Sequence, residues 1–462
     1  MTWETLYNAS TFDEPFADYE SVFDKTQELY LFQDFENDLK QLCEQFPELV
    51  RLEIAGYSEL GRPLYVMVMG SDYAPNRMFV MATTHAREYV GAQLSVLQIE
   101  YYLHNYDGTI NGEPVSDLFD RCQFYFLPIH NPDGAMLSMQ GLASLDDPTV
   151  QLTAGEKASL REFLLSQVGV MNEICEADNN YHDTDSIPYT DNPQPESSDA
   201  FRYWKSNIYG VDLHYSMYTP WMLAVWKTGT WYYSSQESHF TTPSWQNYAG
   251  KDVTDGISLS AENRALFDYV NRIQPNFFIS YHSASNIVQW NYGYDKMENG
   301  EALRSAARTI SEKCGELLNF SVSSSSNPHI GHSGWFMKNS ENYLDSCGYG
   351  VTIELASRQY LSGVKGYGDG YVDAPPTKVI QVTDDVTTTA GVTRHSLWTT
   401  GKYFPVALAQ FIMDNRLVEE GTPLVTAPDP EAVTTPDKVI TLPQKGPPKL
   451  DDNGPDAADV PV

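Results

Sequence analysis

The sequence predicts an α/β fold, a sandwich in which helices flank a largely buried, mixed sheet. Three observations predict it. Apolar runs of strand length recur along the chain, as in CQFYFLPI and NFFISYH. Segments whose apolar residues fall at helical spacing alternate with them. The 462 residues are also enough to bury a full core.

Residues 1–30 are acidic and aromatic without a period, and read as an N-terminal extension lying on a main domain of residues 31–420. In FQDFENDLKQLCEQF, Phe32, Phe35, Leu39, Leu42 and Phe46 share one helical face, and Pro47 stops the helix. VRLEIAGYSELGRPLYVMVMG alternates around a Gly-Arg-Pro turn and reads as a strand pair. Residues 78–83 form a buried strand, followed by a helix whose inward stripe is Val90, Leu94, Leu97 and Tyr101. CQFYFLPI is a further strand, closed by an Asn131-Pro132-Asp133-Gly134 turn. Within 145–200, GEKASLREFLLSQV reads as a helix and the rest as a polar surface insertion. SLSAENRALFDYVNRIQ is a helix ended by Pro275, NFFISYH and YGVTIEL are strands, and KYFPVALAQFIMDN is the final helix. Residues 421–462 are rich in proline and read as a tail or linker.

A net charge of −33 argues against a nucleic-acid partner and against an anionic membrane surface, since both repel a negative field. Aromatic residues make up 13% of the chain, with 30 Tyr and 9 Trp; they read as half-buried surface aromatics, with part of them lining a groove for a polar polymer or peptide as the alternative. The five cysteines form no C-x-x-C pair, which excludes a zinc knuckle or redox motif and leaves room for one disulfide. MTWETLYNAS carries no basic-then-apolar leader, and no run of eighteen apolar residues occurs, so no membrane insertion is expected. Composition does not set the oligomeric state.

The chemistry concentrates at His85 and Glu88, which leave the C-terminal end of an apolar strand, the edge where α/β sheets assemble ligands and catalysts. Spacing alone is weak: His104, His130 and His182 each precede an aspartate by three residues. His282, however, also follows an apolar strand directly. Two imidazoles and a carboxylate give zinc three ligands and an open fourth position, the pattern of a catalytic site. For each histidine taken singly, capping of a strand is the alternative. A hydrolytic site also needs a carboxylate that does not bind the metal. Glu354, inside the apolar strand GVTIEL, is the candidate, because a buried carboxylate needs a cation, a polar cavity or a partner such as Arg358.

HARE, NPDG, YWKSN, GVDL, SYHSAS with NYGY, and TIEL occur in this order. Over most of residues 30–415 the chain thereby resembles the carboxypeptidase A-like zinc peptidases, whose His2Glu ligand set is itself a standard example of catalytic zinc. The resemblance implies a three-layer α/β/α sandwich with a mixed, mostly parallel central sheet and one zinc ion held by His85, Glu88 and His282. Glu354 then falls on the general base and Asp212 on the carboxylate that orients His85. Arg87 falls on a substrate-contacting arginine. The implied reaction is hydrolysis of an amide bond.

Two departures from the family stand out. Lys205 occupies the place of an arginine that helps hold the oxyanion, keeping the charge but losing the fork. Where carboxypeptidases read GVD-x-Asn-Arg, the pair that clamps a terminal carboxylate, this chain reads GVDLHYSMY, with His214 and Tyr215. His329 lies near the place of the family's mobile tyrosine. The WKSN-x-x-GVDL and S-x-E-N-R-A-L segments are similar to a bacterial branch that cleaves γ-D-glutamyl bonds to diamino acids in cell-wall peptides. On that reading His214, Tyr215, His329, His332 and Arg358 are substrate-recognition candidates, the partner is a peptide or muropeptide, and the location is secreted or at a bacterial surface, with the leader peptide absent from this chain. Two alternatives stay open: a carboxypeptidase whose anchor has moved to another residue, and a catalytically silent peptide-binding module.

Overall fold

The computed structural model describes residues 19–24, 29–110, 112–177, 201, 204–210, 213–214, 260–283, 286–291, 300–325, 349–355, 386–387, 393–394 and 397–418. Eight of its strands form one sheet: β1 (Val50–Tyr57), β2 (Pro63–Met69), β3 (Asn76–Met81), β4 (Cys122–Leu127), β5 (Phe277–Ser283), β6 (Ile287–Asn291), β7 (Ser321–Ser325) and β8 (Tyr349–Leu355). Their spatial order is β1-β2-β4-β3-β5-β8-β6-β7. The central strands β4, β3, β5 and β8 run parallel. β1 and β2 add antiparallel on one side, and β6 pairs antiparallel with β8 on the other. This is the mixed, mostly parallel sheet expected. Every residue of β3, β4 and β5 is buried, because helices cover both faces, and so these strands read as apolar runs rather than alternating ones.

The larger helices are α1 (Phe32–Gln45), α2 (Val90–His104), α3 (Pro132–Gln140), α4 (Ala154–Ala177), α5 (Ala261–Ile273), α6 (Gly300–Leu318) and α7 (Phe404–Asp414). On one face, Val80, Ile279, Tyr281 and Ile353 share a core with α1, α2, α6 and α7. On the other, Phe79, Met81, Tyr125 and Phe278 pack against Leu266, Tyr269, Val270 and Ile273 of α5. Successive strand residues therefore alternate between two helical layers, which makes the sandwich three layers deep.

Most helices follow their periodicity. In α1 the expected residues Phe32, Phe35, Leu39 and Leu42 are buried, and Phe46 becomes the C-cap. In α5, Ser260 caps the start by accepting from Asn263 N, and Gln274 ends the helix in the left-handed region just before Pro275. The expected stripe of α2, Val90, Leu94, Leu97 and Tyr101, is buried, and so is the rest of Val90–Leu103. Its polar side chains are covered from outside: Glu100 accepts from Ser21 Oγ and Val22 N, Gln98 donates to Gly401 O at 2.8 Å, and Tyr102 donates to Lys402 O at 2.6 Å. The Asn131–Gly134 turn is the first turn of α3, with the Asn131 side chain accepting from Gly134 N. α4 runs to Ala177, past the expected end; the rest of the 145–200 insertion and the 421–462 tail lie outside the described residues. Cys43, Cys122 and Cys314 are free thiols. No helix among the described residues is long and apolar enough to cross a membrane.

Asp133 ties the turn before β2 to the start of α3. Its carboxylate accepts from Arg62 Nη1 at 2.7 Å and from Leu60 N at 2.8 Å, while Arg62 Nη2 donates to Ser144 O. Both charged side chains are fully buried. Removing one partner strands the other charge, so Asp133→Ala is expected to lower unfolding stability in urea by about 3–5 kcal/mol. A loss below about 1 kcal/mol, the worth of an exposed pair, would contradict this.

Candidate active site

The parallel strands end on one edge, and the segments that leave that edge are bound to one another. Beyond β3, Ala82 N donates to Leu127 O, His130 N to Ala82 O, and Asn131 N to Thr83 O, which zips together the exits of β3 and β4. Thr83 takes a φ of 53°, rare for a β-branched residue, and this turns the chain out of the strand toward His85. Asn131 Nδ2 then bridges Thr84 O and Ser206 O, both at 3.1 Å, and Ala86 N donates to Lys205 O. Ala86 itself is buried among Leu137, Trp204 and Ile208. The loop is closed by Glu88 N donating to His85 O. α2 starts immediately afterwards, where Gly91 lets the helix approach the sheet: a Cβ there would lie 2.9 Å from Ala82 Cβ and 3.3 Å from Tyr281 Cβ. A short, doubly anchored loop thus presents His85 and Glu88 beside the end of β5.

His282 stands at that end, and the three side chains converge. His85 Nδ1 lies 2.7 Å from Glu88 Oε1, His282 Nδ1 lies 2.9 Å from Glu88 Oε2, and the two Nδ1 atoms are 3.2 Å apart. Ser283 N also donates to Glu88 Oε2 at 3.2 Å. His85, Glu88 and His282 are 5%, 4% and 2% exposed, so water does not separate them. Donors about 2.0–2.1 Å from a tetrahedral zinc stand roughly 3.3 Å apart, close to the spacing found here, and two nitrogens with a carboxylate suit that ion. The residues therefore fit zinc. Burial opposes the charge on Glu88, but the imidazoles of His85 and His282 outweigh it and hold the carboxyl well below its usual range. Burial pushes His282 down, Glu88 works against it, and the charges of His85 and Lys205 add to the lowering. Depressed basicity is what a metal-binding imidazole needs, since the ion competes with protons for its lone pair.

His214, expected to read substrate, lies in the same cluster. Its ring centroid is 4.6 Å from that of His282 and 5.4 Å from that of His85, and the three histidines each offer a donor within 4.8 Å of the others. Glu354 is the register partner of His282 across the parallel pair β5–β8, so both side chains leave the same face of the sheet at the same level. It is half-buried. Lys205 and Arg87 are half-buried too, Lys205 being held through its carbonyl to the loop that carries His85. Asp212, Tyr215, His329, His332 and Arg358 lie outside the described residues.

Several contributors escape a reading by side-chain type. Ser283 acts on Glu88 through its backbone, for which no sequence signal exists. Asn131 is visible in NPDG, but as a strut beneath the loop rather than a turn. The WKSN and S-x-E-N-R-A-L segments meet each other: Asn207 Nδ2 donates to Glu262 Oε2, and Asn263 Nδ2 donates to Leu213 O. Burial, with the charge of Glu59, holds the Glu262 carboxyl well above its usual range. These motifs tie the segment that carries His214 to the start of α5. His130 is fully buried beside Thr84 and pushed down to about 3 by that burial.

Fold and donor set together define a mononuclear zinc hydrolase. The zinc carboxypeptidase family profile matches residues 35–388, and the chain belongs to that family, the M14 peptidases. Among curated proteins it is 22% identical over 333 residues to the γ-D-glutamyl-L-diamino acid endopeptidase 1 of Lysinibacillus sphaericus, covering 72% of this chain and 66% of that one. It is 21% identical to the uncharacterized protein YqgT of Bacillus subtilis (strain 168), covering 70% of this chain and 69% of that one. The matched stretch thus spans about two thirds of each relative's length. Among solved structures, thrombin-activatable fibrinolysis inhibitor aligns with a TM-score of 0.49 at 15% identity, over 89% of this chain and 81% of that one.

Proposed function

We propose that the protein is a zinc peptidase that hydrolyses γ-D-glutamyl bonds to diamino acids in bacterial cell-wall peptides. The observation that carries this reading is that the recognition end of the motif set is replaced while the metal ligands and base are kept and Lys205 retains the positive charge at the oxyanion position. His85, Glu88, His282 and Glu354 remain, while the Asn-Arg carboxylate clamp is replaced by His214 and Tyr215. An enzyme that no longer grips a terminal carboxylate has changed its substrate rather than its chemistry. The similarity to a γ-D-glutamyl-L-diamino acid endopeptidase points the same way. Such a substrate lies outside the bacterial membrane, and so the enzyme works at the surface or beyond it.

When bound, zinc supplies Lewis acidity and makes a hydrolytic nucleophile available at neutral pH. The chain supplies the rest. His85, Glu88 and His282 fix the ion's position, with Asp212 orienting His85. Glu354, level with His282, accepts a proton from the attacking water and returns it to the leaving amine. Lys205 places a positive charge where the carbonyl oxygen gains negative charge. Arg87 and the residues at 214 and 215 read the groups flanking the bond.

Digestion of defined muropeptides beside ordinary peptides with free C-termini, read by mass spectrometry, tests this. The expected result is a cut between γ-D-glutamate and the diamino acid, with ordinary peptides left whole. Release of single C-terminal residues from ordinary peptides, with muropeptides untouched, would replace the proposal with a conventional carboxypeptidase. Cleavage of neither by zinc-loaded protein would favour a binding module.

A further inference from the structure

We propose that His214 is a fourth protein donor to the ion, so that the resting centre is a three-histidine, one-carboxylate site, a clause that rests on reading His85, Glu88 and His282 as ligands. The ring is 4% exposed and lies nearer to His282 than to His85, with centroids 4.6 and 5.4 Å away. One donor from each ring falls within 4.8 Å of the others. Donors about 2.1 Å from one tetrahedral ion stand roughly 3.4 Å apart, so a side-chain adjustment of at most about 1.5 Å closes the set. The backbone supports the placement: Leu213 is fully buried and its carbonyl accepts from Asn263 Nδ2 of α5 at 3.0 Å. The ring is buried with His85 and His282 and packs against both.

A fourth donor changes how the site works. Zinc with four protein donors is closed, the form of a structural site, whereas hydrolysis needs an open position. His85, Glu88 and His282 are bound to one another at 2.7–3.2 Å, and Glu88 is held further by Ser283 N. His214 stands off from that triad, and is therefore the donor that yields. With zinc bound, the His214 ring would hold the fourth position at rest and leave it as a neutral imidazole when water and substrate enter, so that the site would open only to a ligand that displaces the ring.

The test uses the full chain, stripped of metal and reloaded with one equivalent of zinc. X-ray absorption is expected to count three histidine nitrogens in the wild type and two in His214→Asn, the variant that restores the family residue. Chelator competition is expected to show His214→Asn binding zinc at least about 100-fold more weakly, the upper range for losing an outer partner of a ligand. Two histidines in the wild type, or unchanged affinity in the variant, would overturn the proposal; the wild-type count stands even where the variant fails to fold. His85→Ala separates the underlying reading: if it keeps the ion at full affinity, the ligand assignment fails and the His214 proposal falls with it.

Discussion

Glu354→Gln is expected to slow amide hydrolysis by about 10²–10⁴-fold, or roughly 3–5 kcal/mol of barrier, while zinc content stays at one per chain. Glutamine keeps the shape and the hydrogen-bonding reach of the carboxylate and removes its capacity to take a proton. The loss should fall on kcat, with KM little altered, since a group that matters only as the proton moves contributes little to binding the ground state. Steady-state kinetics on a muropeptide substrate check this. Equal rates for wild type and variant would remove Glu354 from the mechanism.

His85→Ala is expected to take zinc content from about one per chain to near zero, and to abolish hydrolysis with it. Three donors converge within 3.2 Å, and without His85 that close triad is broken: Glu88 loses the neighbour of one oxygen, and His214, which stands off from the cluster, does not replace the missing donor. The same variant should lose the rise in melting temperature that zinc gives the wild type, because an ion that binds the folded state alone stabilises by mass action. Metal analysis with a thermal melt in zinc and in chelator reads both effects. A melt that still responds to zinc in His85→Ala would reject the ligand.

Much of this was legible in the sequence, for reasons that can be named. β3, β4 and β5 are buried throughout because both faces are covered, and their apolar runs, such as residues 78–81 and 124–127, stand out without any period. The departure of His85 and His282 from strand ends located the metal site, since strand ends on the parallel edge of a sheet become neighbours whatever their separation in the chain. What spacing does not carry is which strands adjoin. That His282 and Glu354 stand level depends on β8 pairing with β5, while β6, nearer in sequence, lies beyond it.

The parts that sequence reading missed have physical reasons too. SVSSS of β7 is rich in turn-forming serine and offers one apolar residue, Val322, which is 38% exposed; pairing with β6 imposes the strand from outside. α2 hid its buried outer face because Gln98, Glu100 and Tyr102 are polar residues satisfied by partners far along the chain. His214 read as substrate recognition since its place in the motif belongs to a carboxylate clamp, and only its packing against His282 gives it a second role.

An anomalous difference map collected at the zinc edge bears most directly on the metal centre. The expected result is a single peak about 2.0–2.1 Å from Nδ1 of His85 and Nδ1 of His282, within bonding distance of the Glu88 carboxylate, with the Glu354 oxygens outside the coordination sphere. A peak elsewhere in the molecule, or one with Glu354 among its ligands, would contradict it.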